Sequence, residues 1–155
     1  MFGCKFLVGD NCAVNKRMAN LIGVPLVGCA SHRLNLAVRD YLAPLDSELG
    51  EVQQLMRKLR TLKQVAKLRT KTELLPVLPQ DTRWSSTFAM LKRFCRLREF
   101  VSAGDEDLAD FLPSRTAHRK LASLLDSLCD VESVSKRLQA DGLTLLDARD
   151  RLYYI

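Results

Sequence analysis

The sequence predicts a mostly helical fold that opens on two short parallel strands, and three observations carry that prediction. Two short apolar runs, KFLVGDN at 5–11 and PLVG at 25–28, are each followed at once by a segment of helical periodicity. From about residue 47 onward apolar residues recur every three or four positions over stretches too long for strands. The composition, 47% hydrophobic and 27% charged over 155 residues, is that of one ordinary globular domain, which excludes a disordered or collagen-like chain. No stretch approaches the roughly 18 uncharged apolar residues of a membrane helix. The apolar start is broken by Asp10 instead of forming a signal peptide. The chain therefore reads as soluble, neither secreted nor membrane-bound, and resident in nucleus or cytoplasm.

Residues 5–11 read as a buried strand ending at Asp10, with Asp10 or Asn11 placed to cap the next helix. In 14–22, Val14, Met18 and Leu21 or Ile22 stand at helical spacing, and Gly23 closes the helix. Pro25–Gly28 reads as the second strand. In SHRLNLAVRDYL, Leu34, Ala37, Val38, Tyr41 and Leu42 share one helical face behind Ser31 as cap. Strand, helix, strand, helix with short links is the order of a parallel βαβ unit, which gathers functional side chains at the carboxyl ends of its strands. Asp10 and the segment Cys29–His32 are then expected to be neighbours.

Next comes a stripe of Leu49, Val52, Leu55, Leu59, Leu62 and Ala66, with Arg57, Lys58, Arg60, Lys63, Lys67, Arg69 and Lys71 crowding the rest of the surface. Pro76 and Pro79 mark a linker. Asp81 or Thr82 can cap a helix with Trp84, Phe88, Leu91, Cys95 and Leu97 inside and Lys92, Arg93, Arg96 and Arg98 elsewhere. The acidic stretch 102–114 reads as an exposed loop with at most one helical turn. Residues 116–139 carry Leu121, Leu124, Leu128, Val131 and Leu138 as a core stripe of a long helix or helix pair. After Asp141-Gly142, LTLLDARDRLYYI starts a last helix whose terminal Tyr153-Tyr154-Ile155 suggests a missing partner surface or continuation.

The net charge of +6 is uneven: residues 1–100 hold 17 Lys or Arg against 8 Asp or Glu, and residues 101–155 hold 7 against 10. Any polyanion is expected to meet the first two-thirds of the chain. The same basic helices are also compatible with a plain solvated surface. Five cysteines, odd in number and without a Cys-x-x-Cys pair, suit reduced thiols. Cys29-Ala-Ser-His32 is half of a zinc site with no evident second half. No phosphate-binding glycine loop, nucleophile elbow or His-rich metal motif is present. A single carboxylate such as Asp10 cannot hold two catalytic magnesium ions by itself.

GDNCAVNKRMANLIGVPLVGCASHRLNLAV resembles the block of hAT-family DNA transposases in which an Asp-Asn opens a helix and Cys-x-x-His-x-Leu-Asn-Leu follows. DTRWSSTFAMLKRF is similar to that family's Thr-Arg-Trp segment, and LQADGLTLLDARDRLYYI resembles a later stretch. The resemblance implies a partial ribonuclease H-like core over 1–46 and a helical region over 47–155 that includes the start of an insertion domain. It implies that Asp10 is a catalytic metal ligand for Mg2+, with Cys29 and His32 close to the active site. Trp84 would handle a flipped-out base beside a phosphate-facing Arg83. The competing readings from the residues alone are a helix cap for Asp10, a buried thiol and a hydrogen-bonded imidazole for Cys29 and His32, and a core anchor for Trp84.

The resemblance also implies that the first and third acidic ligands lie outside this chain, as do the amino-terminal zinc finger and the dimerisation region. As an expectation, then, the chain is a fragment of a hAT-type transposase, a metal-dependent DNA-cleaving and strand-transferring enzyme that forms a homo-oligomer when complete. The fragment itself is expected to be inactive and to need no cofactor. The alternatives are a transposon-derived module that binds DNA or a protein through Arg57, Lys58, Lys63, Lys67, Lys92 and Arg93, and a decayed product without function.

Overall fold

The computed structural model describes residues 3–80, 83–102, 104–140, 142 and 144–152. They form β1 (Leu7–Gly9), α1 (Ala13–Ile22), β2 (Leu26–Gly28), α2 (Ala30–Leu42), α3 (Asp46–Leu59), α4 (Leu62–Arg69), α5 (Trp84–Leu97), α6 (Arg115–Leu138) and α7 (Leu145–Leu152). The fold is mostly helical with two short parallel strands, as the sequence predicts. Two compact units divide it, residues 1–40 with 133–155, and residues 41–132.

In the first unit β1 and β2 pair in parallel with Leu7 opposite Leu26, Val8 opposite Val27 and Gly9 opposite Gly28. The ladder runs on at both ends, Leu7 N donating to Pro25 O at 2.9 Å and Cys29 N to Gly9 O at 2.8 Å. α1 ends because Gly23 takes the left-handed conformation, φ 72°, which a Cβ would strain. The Gly23 and Val24 amides then donate back to Asn20 O and Ala19 O, satisfying the terminal carbonyls. The expectation of a buried first strand does not hold: Val8 is 53% exposed, and with only two strands the sheet leaves a face of β1 uncovered. The apolar positions of α1 are likewise open, Val14 and Leu21 at 74% and 78%.

α2 buries Leu34, Val38 and Leu42, one residue per turn, whereas Ala37 and Tyr41 are exposed, so its inner stripe is narrower than expected. The expected Ser31 cap is also corrected. Arg33 N already donates to Cys29 O, so the helix begins at Ala30 and Ser31 lies inside its first turn.

The second unit is built on α3, whose Leu49, Val52, Leu55, Met56 and Leu59 are buried and which packs against α5 and the short 3-10 turn Ala109–Phe111. The predicted stripe does not continue through Leu62 and Ala66. Thr61 is extended (φ −65°, ψ 148°), its hydroxyl donates to Lys58 O at 2.9 Å, and the helix restarts in a new phase. Leu62 is therefore 91% exposed, while Gln64 and Leu68 are buried instead. α5 buries Trp84, Phe88, Met90, Leu91, Phe94 and Leu97, and Cys95 is half-buried. Asp81 and Thr82, the expected caps, lie outside the described residues. Ser86 organises the entry, its hydroxyl meeting Gln80 O and Arg83 O at 2.7 Å and accepting from Gln80 N at 2.9 Å.

The loop before α6 carries the one predicted turn and is pinned by buried Leu108. α6 is a single continuous helix with Leu121, Leu124 and Leu128 inside, and Val131 half-buried. Thr144 and Asp147 cap α7 reciprocally, Thr144 N donating to Asp147 Oδ2 at 3.0 Å and Asp147 N to Thr144 Oγ1 at 3.1 Å. Asp141 and Tyr153-Tyr154-Ile155 fall outside the described residues. No helix among the described residues is long and apolar enough to cross a membrane.

Candidate functional site

The bond from Cys29 N to Gly9 O places Asp10, directly after β1, beside the Cys29–His32 segment that follows β2. Parallel topology alone predicts that neighbourhood, and the register supplies it. Asp10 is held by a residue that the sequence pattern does not single out. The Asn15 amide donates to Asp10 Oδ1 at 2.5 Å and to Asp10 O at 3.2 Å, and Cys12 N donates to the same Oδ1 at 3.4 Å. Gly9 leaves room for this clamp, since a Cβ there would stand 2.9 Å from Asn15 Nδ2. Hydrogen bonds from Cys12, then from Asn15, and the field of His32 hold the Asp10 carboxyl below its ordinary value of 3.8, against the opposing effect of burial. Asp10 is therefore an ionised turn-former. The α1 cap itself is Cys12, whose sulfur accepts from Asn15 N at 3.5 Å, one residue beyond the expected Asn11.

This donor set does not make a magnesium site. Mg2+ takes near-octahedral oxygen ligands, usually one or two carboxylates plus waters and substrate oxygens, and thiolate and imidazole suit softer metals. Asp10 offers one carboxylate, and Cys29 and His32 are the wrong donors. Among the described residues no group of three His, Cys, Asp or Glu could hold a metal ion.

Ser31 Oγ, between Cys29 and His32 in sequence, is buried and has no hydrogen-bond partner among the described residues. An unsatisfied buried hydroxyl costs about 1–3 kcal/mol. Ser31→Ala should therefore leave the thermal midpoint unchanged or raise it by a few degrees; a drop equivalent to more than about 1 kcal/mol would mean that the hydroxyl has a partner.

The basic residues singled out in the sequence lie in the other unit, 41–132, and most of them are engaged within the fold. Lys63 Nζ pairs with Asp107 at 2.5 Å, and Lys67 Nζ with Asp105 at 2.7 Å and Asp107 at 3.6 Å. Lys58 lies 5.2 Å from the Phe111 ring centroid and Lys92 lies 5.8 Å from that of Phe88, both in cation–π range. Arg93 donates to Leu75 O at 2.9 Å. Arg57 and Arg83 are exposed, as are Arg60, Arg69 and Arg96. Trp84 is only 5% exposed, with its ring 6.0 Å from that of Phe88, so in this conformation neither face is open to a base.

The family described as the ZBED1 RNase-like helical domain matches residues 27–128, from β2 through most of α6. The chain belongs to that family. As a ZBED1-type RNase-like helical domain it is transposon-derived and related to hAT elements. The match includes Cys29, His32, Arg83, Trp84 and every basic residue named above, and it leaves β1, α1 and Asp10 outside. No curated protein and no solved structure matches the chain.

Proposed function

We propose that this ZBED1-type domain is a piece of a hAT-type transposase, its helical part together with an edge of the catalytic core, and that alone it grips a DNA backbone without cutting it. The observation that carries the reading is the family match over the same helices that hold the exposed arginines, α3 to α5. Arginine is suited to phosphate, since its planar fork binds two oxygens at once. The open β1–α1 surface, with Phe6, Val8, Val14, Leu21 and Ile22 all at least 45% exposed, supports a core that further strands would complete. One carboxylate supports binding without strand cleavage.

The test is fluorescence anisotropy of a short labelled duplex at about 50 and about 200 mM salt. Binding should fall steeply with salt, and Arg57→Glu/Arg69→Glu should weaken it by about tenfold to a hundredfold at the lower salt, because each neutralised phosphate contributes a counterion. Absence of binding at about 50 mM salt would remove the arginines as phosphate contacts of the unaltered chain and favour a protein-interaction scaffold. Supercoiled plasmid should stay intact with Mg2+. Nicking that disappears in Asp10→Asn would overturn the binding-only assignment.

A further inference from the structure

Two of the basic residues that sequence patterning offers for phosphate, Lys63 and Lys67, are one turn apart on α4 and so share a face. That face is covered from about forty residues away in sequence. Asp107 meets Lys63 at 2.5 Å and Asp105 meets Lys67 at 2.7 Å, two anions on two cations. The loop is shaped for the contact: Asp107 N donates to Asp105 Oδ1 at 3.2 Å, and Leu108 behind it is 2% exposed. Gln64, itself 2% exposed, lies between the lysines in sequence, and its amide reaches both carboxylates at 3.4 Å. The ammonium groups are still approachable. Lys63 and Lys67 side chains keep 68% and 45% of their surface, beside an open pocket of about 460 Å3 lined by them and by Ser102, Gly104, Asp105, Glu106 and Asp107.

We propose that the Asp105–Asp107 loop is an acidic strap that stands in for nucleic-acid phosphates on Lys63 and Lys67 and is displaced when a polyanion binds. The proposal rests on the nucleic-acid reading above and adds a regulated site to it. Exposed ion pairs are weak, so the strap lowers affinity without locking the site, and a polyanion that releases counterions can displace it.

The strap is not a pH switch. The hydrogen bond from Lys67 holds Asp105 below its ordinary 3.8, that from Lys63 does the same for Asp107, and Asp105 holds Lys67 above 10.5. Depressed carboxyls keep their contribution above 3.8 and lose it only as pH falls through their lower folded values; a raised ammonium keeps its contribution below 10.5 and loses it only above that. Between those limits both partners stay charged, which leaves competition and salt as the releasing agents.

The experiment compares the whole chain with Asp105→Asn/Asp107→Asn in the duplex anisotropy assay, with circular dichroism melts to establish that both are folded. The variant should bind about tenfold tighter at about 50 mM salt, and its plot of log affinity against log salt should be steeper by about 1 to 2. Adding Lys63→Gln/Lys67→Gln to the variant should return affinity to the wild-type level. Glu106→Gln, which removes one charge from an exposed position, should have a smaller effect. If wild type binds and the variant binds no better, or the lysine changes do not reverse the gain, the strap is overturned and the nucleic-acid reading stands. If neither protein binds, both are overturned. Binding by the variant alone would support the strap and confine the nucleic-acid reading to the released form.

Discussion

Trp84→Ala is expected to destabilise the 41–132 unit by about 3–5 kcal/mol and to lower its melting midpoint by about 12–40 °C. The indole is 5% exposed at the start of α5 and sits against Phe88, so truncation removes buried apolar area and leaves a cavity. Trp84→Phe keeps most of the apolar area and should recover most of the loss. Trp84 is the only tryptophan, so intrinsic fluorescence reports on it directly. A buried anchor predicts blue-shifted emission, weak acrylamide quenching and no change on adding DNA. Quenching by single-stranded DNA, with stability little changed in the Ala variant, would instead assign the ring to base stacking.

The elements with local punctuation are legible in the sequence. Gly23 stops α1 through its positive φ and Pro25–Gly28 delimits β2, each signal lying within a few residues of its effect, and the leucines of α6 mark a helical stretch, which the fold resolves as one helix and not a pair. Trp84, Phe88, Leu91 and Leu97 are identifiable as inward for the same reason. Burial at α1 is not legible, because periodicity reports which residues share a face and not whether anything covers it. The break at Thr61 escapes pattern reading because Arg60-Thr61-Leu62 contains no glycine or proline, and the interruption comes from one extended residue and a hydroxyl hydrogen bond.

At the candidate site, the neighbourhood of Asp10 with Cys29 and His32 follows from parallel topology and can be read, whereas its clamp by Asn15 depends on a glycine making room for a side chain six residues on. The lysines of α4 show the opposite case. Their identity as basic surface is plain, yet their pairing with Asp105 and Asp107 spans about forty residues, and charge asymmetry along the chain describes as two separate regions what the fold brings into contact.

The paired changes Leu55→Ala and Leu62→Ala should separate strongly although the two residues lie one heptad apart on the same apparent stripe. Leu55 is 1% exposed in the helix on which the unit is built, and its truncation should cost about 2–5 kcal/mol, the transfer free energy of the lost atoms plus an unfilled cavity. Leu62 is 91% exposed and begins α4 after the extended Thr61, so Leu62→Ala should fall within about 0.5 kcal/mol of wild type. Urea denaturation followed by circular dichroism reads both. Equal losses would mean that α3 and α4 form one helix with a continuous buried stripe, and the lysine face of α4 would then have to turn with it. A large loss at Leu55 alone fixes the phase of α4, which is what presents Lys63 and Lys67 together to the acidic loop.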